Sequence, residues 1–177
     1  ANRGTTVAGG TLSVADGAVL KLSGASNFPI NFATRDLSLN SLTEYNGAAQ
    51  TISAQSYGDL VLSGSGIKTA TAAFTVKGDF TIAAGTFNTA AVAVTHSLEG
   101  NFNMTGGAIT GTNGTFLMNG TSDQSVSLLS NPVHLSINKT SGVVNLASDI
   151  TVTGTLSFTK GNIHTGNYNL TASGTVS

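Results

Sequence analysis

Eight carboxylates are the first candidates for chemistry in this sequence: Asp16, Asp36, Glu44, Asp59, Asp79, Glu99, Asp123 and Asp149. Spacing singles out Asp59 and Asp79. Each precedes a pair of apolar residues two apart, Leu60/Leu62 and Phe80/Ile82, and Asn101 takes the same place before Phe102 and Met104. Glycoside hydrolysis needs two carboxyls about 5–10 Å apart flanking the scissile bond, and a calcium loop needs several oxygen ligands close in sequence. The chain has neither a cleft-forming insertion nor a DxDxD cluster. The aspartates therefore read as a solvated outer face or as turn contacts to the next structural unit. His96, His134 and His164 stand apart from one another and from any carboxylate at ligand spacing, so they are expected at the surface and not on a metal. Serines are abundant, yet no GxSxG elbow occurs. Gly64-Ser65-Gly66 reads as a corner, because no strand-to-helix phosphate loop follows it.

Two binding chemistries can be tested the same way. An ice-binding surface would show a threonine array at the outward position between paired apolar residues. In successive matched units that position reads Val61, Thr81, Asn103, Ser136 and Ser157, which is no such array. Sugar binding favours exposed aromatic platforms, but tryptophan is absent, and Tyr45, Tyr57 and Tyr168 share no position in the unit. The phenylalanines Phe74, Phe80, Phe87, Phe102, Phe116 and Phe158 follow the inward positions and read as core. No catalytic, cofactor-binding or metal-binding residue is assigned, no cofactor is implied, and the chain is not expected to be an enzyme.

The elements that must position these residues are short strands in a repeat. Gly78-Asp-Phe-Thr-Ile82 returns as Gly100-Asn-Phe-Asn-Met104, and Gly85-Thr-Phe87 returns as Gly107-Ala-Ile109, both 22 residues later. Leu60/Leu62 and Phe80/Ile82 are 20 apart, and Leu135/Ile137 and Leu156/Phe158 are 21 apart. Self-similarity at such periods marks repeat architecture. Apolar and polar residues alternate from Leu12 to Leu170, the period of a strand with one buried face. Nowhere do apolar residues recur at helical spacing over three turns, and the alanine runs at 69–73 and 89–93 are short and threonine-interrupted. Pro29 lies among Phe28, Ile30 and Phe32 and makes that segment an irregular corner.

These features predict an all-β, right-handed parallel β-helix (a β-solenoid) of about 21 residues per coil; the hand rests on the general preference of crossover connections. Glycines at 64, 85, 107 and 161 are expected to stack at one corner, where positive φ is cheap without a Cβ. A longer repeat overlies the coil. Asn46-Gly47 matches Asn119-Gly120, Gln50-Thr-Ile52 matches Gln124-Ser-Val126, and Val76-Lys-Gly78 matches Val152-Thr-Gly154, giving a supermodule of about 75 residues. Residues 1–177 are read as one solenoid domain, with a divergent partial module at 1–41 and modules at 42–114 and 115–177. Neither end carries a recognisable cap, so the chain is expected to belong to a longer repeat array or to stack end to end.

Composition narrows the function classes. Charged residues make up 8% of the 177 residues, and the formal net charge is −1. Typical domains have roughly 25%. The seven basic residues, from Arg3 to Lys160, form no patch, which disfavours nucleic acid and anionic membrane as partners. The absence of cysteine removes disulfides, thiolate metal sites and cysteine nucleophiles. No window of about 18 apolar residues exists to span a membrane as a helix. Residues 1–10 lack the pattern of a signal peptide, which fits a segment cut from a longer chain.

The runs GTFLMNGTSDQSV (114–126) and VHLSINKTSGVVNLASDITVTGTLSFTKGNIHTGNYNLTASGTVS (133–177) resemble the repeats of large secreted surface proteins of Bacteroidetes and related bacteria. The resemblance covers residues 42–177 well and 1–41 loosely. It implies an extracellular or cell-surface bacterial protein of adhesin or filament type, β-helical and without a catalytic motif to transfer. The expected function is thus a structural adhesin stalk or filament subunit. Its partners would be itself, neighbouring repeats or surface glycans, with a glycan- or ice-binding solenoid module as the alternative.

Overall fold

The computed structural model describes residues 9–25, 28–89 and 92–177; the lead at 1–8, including Arg3, and Ala90 and Ala91 of the second alanine run lie outside the described residues. The described chain is all β, and every paired strand is parallel to its partner. It winds as a β-solenoid, visiting its faces in rotation. Ser56–Tyr57 belongs to one sheet, Asp59–Leu62 to a second and Ile67–Ala70 to a third, before Thr75–Val76 returns to the first. No helix is long and apolar enough to cross a membrane.

The longest sheet has eight strands, one from each turn of the solenoid: Val19–Leu22, Leu42–Tyr45, Asp59–Leu62, Phe80–Ile82, Phe102–Met104, Gln124–Ser127, Val144–Leu146 and Ile163–His164. Parallel strands about 4.8 Å apart make this sheet about 34 Å across along the axis. A seven-stranded sheet is built from Ser56–Tyr57, Thr75–Val76, Val94–Leu98, Gly114–Met118, His134–Asn138, Thr155–Lys160 and Thr175–Val176. The third face holds Gln50–Ile52, Ile67–Ala70, Thr86–Asn88 and Ala108–Thr110. Two-stranded sheets pair Thr11–Val14 with Thr34–Leu37 and Ile150–Val152 with Leu170–Ala172. Residues 28–33, around Pro29, form no strand, as the proline predicts.

A turn takes between 17 residues (Leu42 to Asp59) and 24 (Phe102 to Val126). The alternation in the sequence becomes columns in the core. Leu60, Phe80, Phe102, Val126 and Leu146 lie in register on one inner wall. Tyr57, Val76, Leu98, Met118 and Ile137 lie on another, and all ten are buried. Aromatic rings bind the middle turns together. Phe80 and Phe102 stack at 5.2 Å, Phe74 meets Phe80 edge-on at 5.7 Å, and Phe87 meets Phe80 edge-on at 5.6 Å. Such pairs add about 0.5–1.5 kcal/mol each beyond their burial.

Three expectations change. The supermodule does not span a whole number of turns. Leu60/Leu62 lie on the eight-stranded sheet, whereas their counterparts Leu135/Ile137 lie on the seven-stranded one. A step of about 75 residues carries the pattern past three turns and on by two faces, one face short of four turns, because all faces demand the same inward alternation and nothing else. Second, Gly64, Gly85 and Gly107 do share a corner at positive φ, each packed on backbone of the turn before it, but Gly161 packs on Lys139 at a different corner. Third, Phe158 keeps the inward register of Ile137 yet is 38% exposed, since the strand beyond it, Thr175–Val176, pairs only with Thr155 and Leu156.

Candidate functional site

Most of the carboxylates hold one turn to the next; among the described residues, Asp36 and Glu99 do not share this role. Asp59 Oδ1 accepts the backbone N–H of Asp79 at 2.7 Å, and Asp79 Oδ1 accepts that of Asn101 at 2.8 Å. Asn101 Oδ1 then accepts the N–H of Ser125 at 2.7 Å. The stack inferred from spacing is therefore a ladder of turn contacts and not a solvated face. The same bond recurs elsewhere. Asp16 accepts from Asn40 at 3.1 Å, Asp123 from Val143 at 3.0 Å and Asp149 from Asn169 at 2.8 Å. Short Asx side chains suit this role, because they reach a backbone donor without a second flexible carbon.

Of the remaining acids, Glu44 pairs with Lys21 at 2.9 Å and accepts from Ser63 Oγ at 2.7 Å; the Ser63 bond and then Lys21 hold its carboxyl below the usual glutamate range. Glu99 lines an open depression with Leu39, Lys77 and the corner at 119–122, and no second carboxylate lines it. Among the described residues, no three of His, Asp and Glu gather as a group able to hold a metal ion.

The matched Asn-Gly…Gln segments turn out to be corner clamps. Gln50 donates its amide to the carbonyls of Leu22 and Gly24 at 2.6 and 2.9 Å and accepts the N–H of Gly47 at 2.8 Å. Gln124 repeats this with Leu98, Gly100 and Gly120. A lysine from the following turn closes each clamp. Lys68 Nζ donates to Gly47 O (2.7 Å), Ser65 O (2.7 Å) and Ala48 O (3.2 Å). Lys139 Nζ donates to Gly120 O (2.6 Å), Ser122 O (2.8 Å) and Gln124 Oε1 (2.9 Å). Burial pushes both ammonium groups below the ordinary lysine value. Sequence reasoning saw these lysines only as members of a scattered basic set that forms no patch. The signal that could have marked them was a lysine one turn beyond each clamp.

The histidines divide. His164 is exposed and His134 half-buried, but His96 is 0% exposed, against the expectation of a surface position. Its ring lies 4.1 Å from that of Phe74, nearly parallel, and Nε2 lies 2.9 Å from Thr89 O. Among the described residues Nδ1 has no hydrogen-bond partner, and burial pushes the imidazole below the usual histidine value. An imidazole at an inward position packs like an aromatic ring, so alternation marked its place and only residue type argued otherwise.

Tyr45 and Tyr57 also sit in the core. Tyr57 Oη donates to Ser53 O at 2.6 Å, so its contact with Tyr45 Oη at 2.9 Å is donated by Tyr45. Burial raises both phenols, Tyr57 well above the ordinary value. Tyr168 is 42% exposed and stands far along the chain from these two, so the tyrosines build no shared platform. No family model, no curated protein and no solved structure matches the chain.

Proposed function

We propose that the chain is a non-catalytic structural element of an extracellular or cell-surface repeat protein, an adhesin stalk or filament unit that extends by coil-on-coil stacking. The observation that carries this reading is the use of the polar side chains. Aspartates, glutamines and lysines that could serve a reaction instead bond successive turns together. A side chain whose oxygen accepts a backbone donor of the next turn is held in place by that bond. The sparse charge supports close contact between rods, since little ion desolvation opposes it.

The contact surface in this reading is the last turn of the chain. Phe158 and Val176 stand at inward register positions and are 38% and 61% exposed. A further coil, from a second copy or from more repeats of the same chain, would cover them and pair the open strand edge. Negative-stain electron microscopy with light-scattering mass over a concentration series tests it. The expected result is axial growth that Phe158→Asp with Val176→Asp abolishes while the fold is retained. A short monomeric rod at every concentration would overturn self-stacking.

A further inference from the structure

The outer surface of the seven-stranded sheet differs from that of the eight-stranded one. Its outward residues form two rows in hydrogen-bonded register. One runs Ser56, Thr75, Ser97, Leu117, Ser136 and Ser157. The other runs Thr95, Thr115 and His134, and then Thr155 and Thr175, which precede the paired Leu156 and Val176 as His134 precedes Leu135. Sequence matching hid these rows. It joined Val61, Thr81 and Asn103 of the eight-stranded sheet to Ser136 and Ser157 of the seven-stranded one, because the supermodule falls one face short of four turns.

Neighbours within a row are about 4.8 Å apart, and the rows, two residues apart along the strand, are about 6.7 Å apart. A hydroxyl grid of that size approaches the repeat of oxygen planes in hexagonal ice. Two shallow, open depressions lie on this face. One is lined from both rows by Thr115, His134, Thr155, Ser136 and Ser157, and the other by Ser56, Thr75 and Thr95 among others. Each is lined from both rows and offers room for several water molecules between them.

Charge points to the same occupant. Neither row contains a carboxylate, ammonium or guanidinium, whereas the outward row of the eight-stranded sheet opens with the Lys21–Glu44 pair. An ion keeps its own hydration shell and disrupts a lattice, while uncharged hydroxyls and methyls can share one. Threonine in a strand has few χ1 states, so little rotamer freedom is lost on contact. His134 is also fixed: its Nε2 lies 3.0 Å from Thr112 O, and its Nδ1 accepts the N–H of Thr155 at 3.0 Å. Neither row contains an aromatic platform for a sugar ring.

We propose that the outer face of the seven-stranded sheet binds ice, ordering water in the trough between its two hydroxyl rows. The test is partitioning of the purified chain into a slowly growing ice hemisphere. Thr115→Tyr with Thr155→Tyr blocks the trough, and Val61→Tyr with Thr81→Tyr on the eight-stranded sheet is the control. The expected result is enrichment of the wild type and the control in the ice, and loss of that enrichment in the trough variant. Exclusion of the wild type from ice would overturn the proposal, as would equal behaviour of the two variants. Retention on insoluble polysaccharide without entry into ice would overturn it in favour of a glycan surface. If the double variant loses its β signal by circular dichroism, Thr95→Tyr at an exposed position replaces it.

Discussion

At the scale of single residues, one bond type accounts for most of the acids. Asp79 holds Asn101 through both the backbone N–H and the side-chain amide, the latter at 3.2 Å. Asp79→Ala is expected to cost about 1 kcal/mol and to lower the melting temperature by about 2–4 °C, measured by thermal unfolding. A catalytic aspartate would instead leave stability unchanged or improved on removal. His96 gives a pH dependence with a definite sign. Its imidazole is buried against Phe74, and burial holds its folded-state value below the unfolded one. The unfolded chain therefore takes up a proton first. The His96 contribution is fully present above the ordinary histidine value of about 6.5 and is lost as pH falls below it. Melting curves from pH 8 to pH 5 are expected to show a fall that His96→Phe removes; an unchanged slope in that variant would refute the assignment.

At the scale of the element, the corners are set by close approach of backbones. A Cβ at Gly120 would overlap the carbonyl oxygen of Glu99 one turn away, and one at Gly100 would overlap that of Gly78. Gly120 also donates its N–H to Gln124 Oε1, and its carbonyl accepts from Lys139 Nζ. Gly120→Ala is therefore expected to cost about 2–3 kcal/mol, the overpacking range, and to loosen the clamp as a unit. Denaturant unfolding checks this, and a cost within error of zero would show that the corner relaxes freely. The strands themselves are two to six residues long, too short to persist without neighbours. Their stability belongs to the stack.

At the scale of the whole molecule, the solenoid is a rod whose faces differ in surface chemistry although their inner walls are alike. Axial association through Phe158 and Val176 would bury apolar side chains and strand edges and few charges, so the growth tested above is expected to change little with salt. That the supermodule falls one face short of four turns has a consequence for any longer array of the same kind. Equivalent surface residues of successive supermodules would spiral around the rod, and three supermodules would return them to the first face.

The sequence by itself determined the period, the parallel stacking and the inward columns, because alternation and glycine corners are local patterns that only one architecture satisfies at once. It also placed Asp59, Asp79 and Asn101 in one file, since equal position in a repeat means vertical neighbourhood in a solenoid. Tertiary structure alone decided which face each residue occupies. A supermodule spans three turns and two faces, and a turn varies from 17 to 24 residues, so a count along the chain drifts from one face to another. That drift concealed the hydroxyl rows at Thr95, Thr115 and Thr155. The buried lysines were hidden for a related reason: Lys68 and Lys139 find their carbonyl partners 20 or so residues back, across a turn whose length only the folded chain fixes.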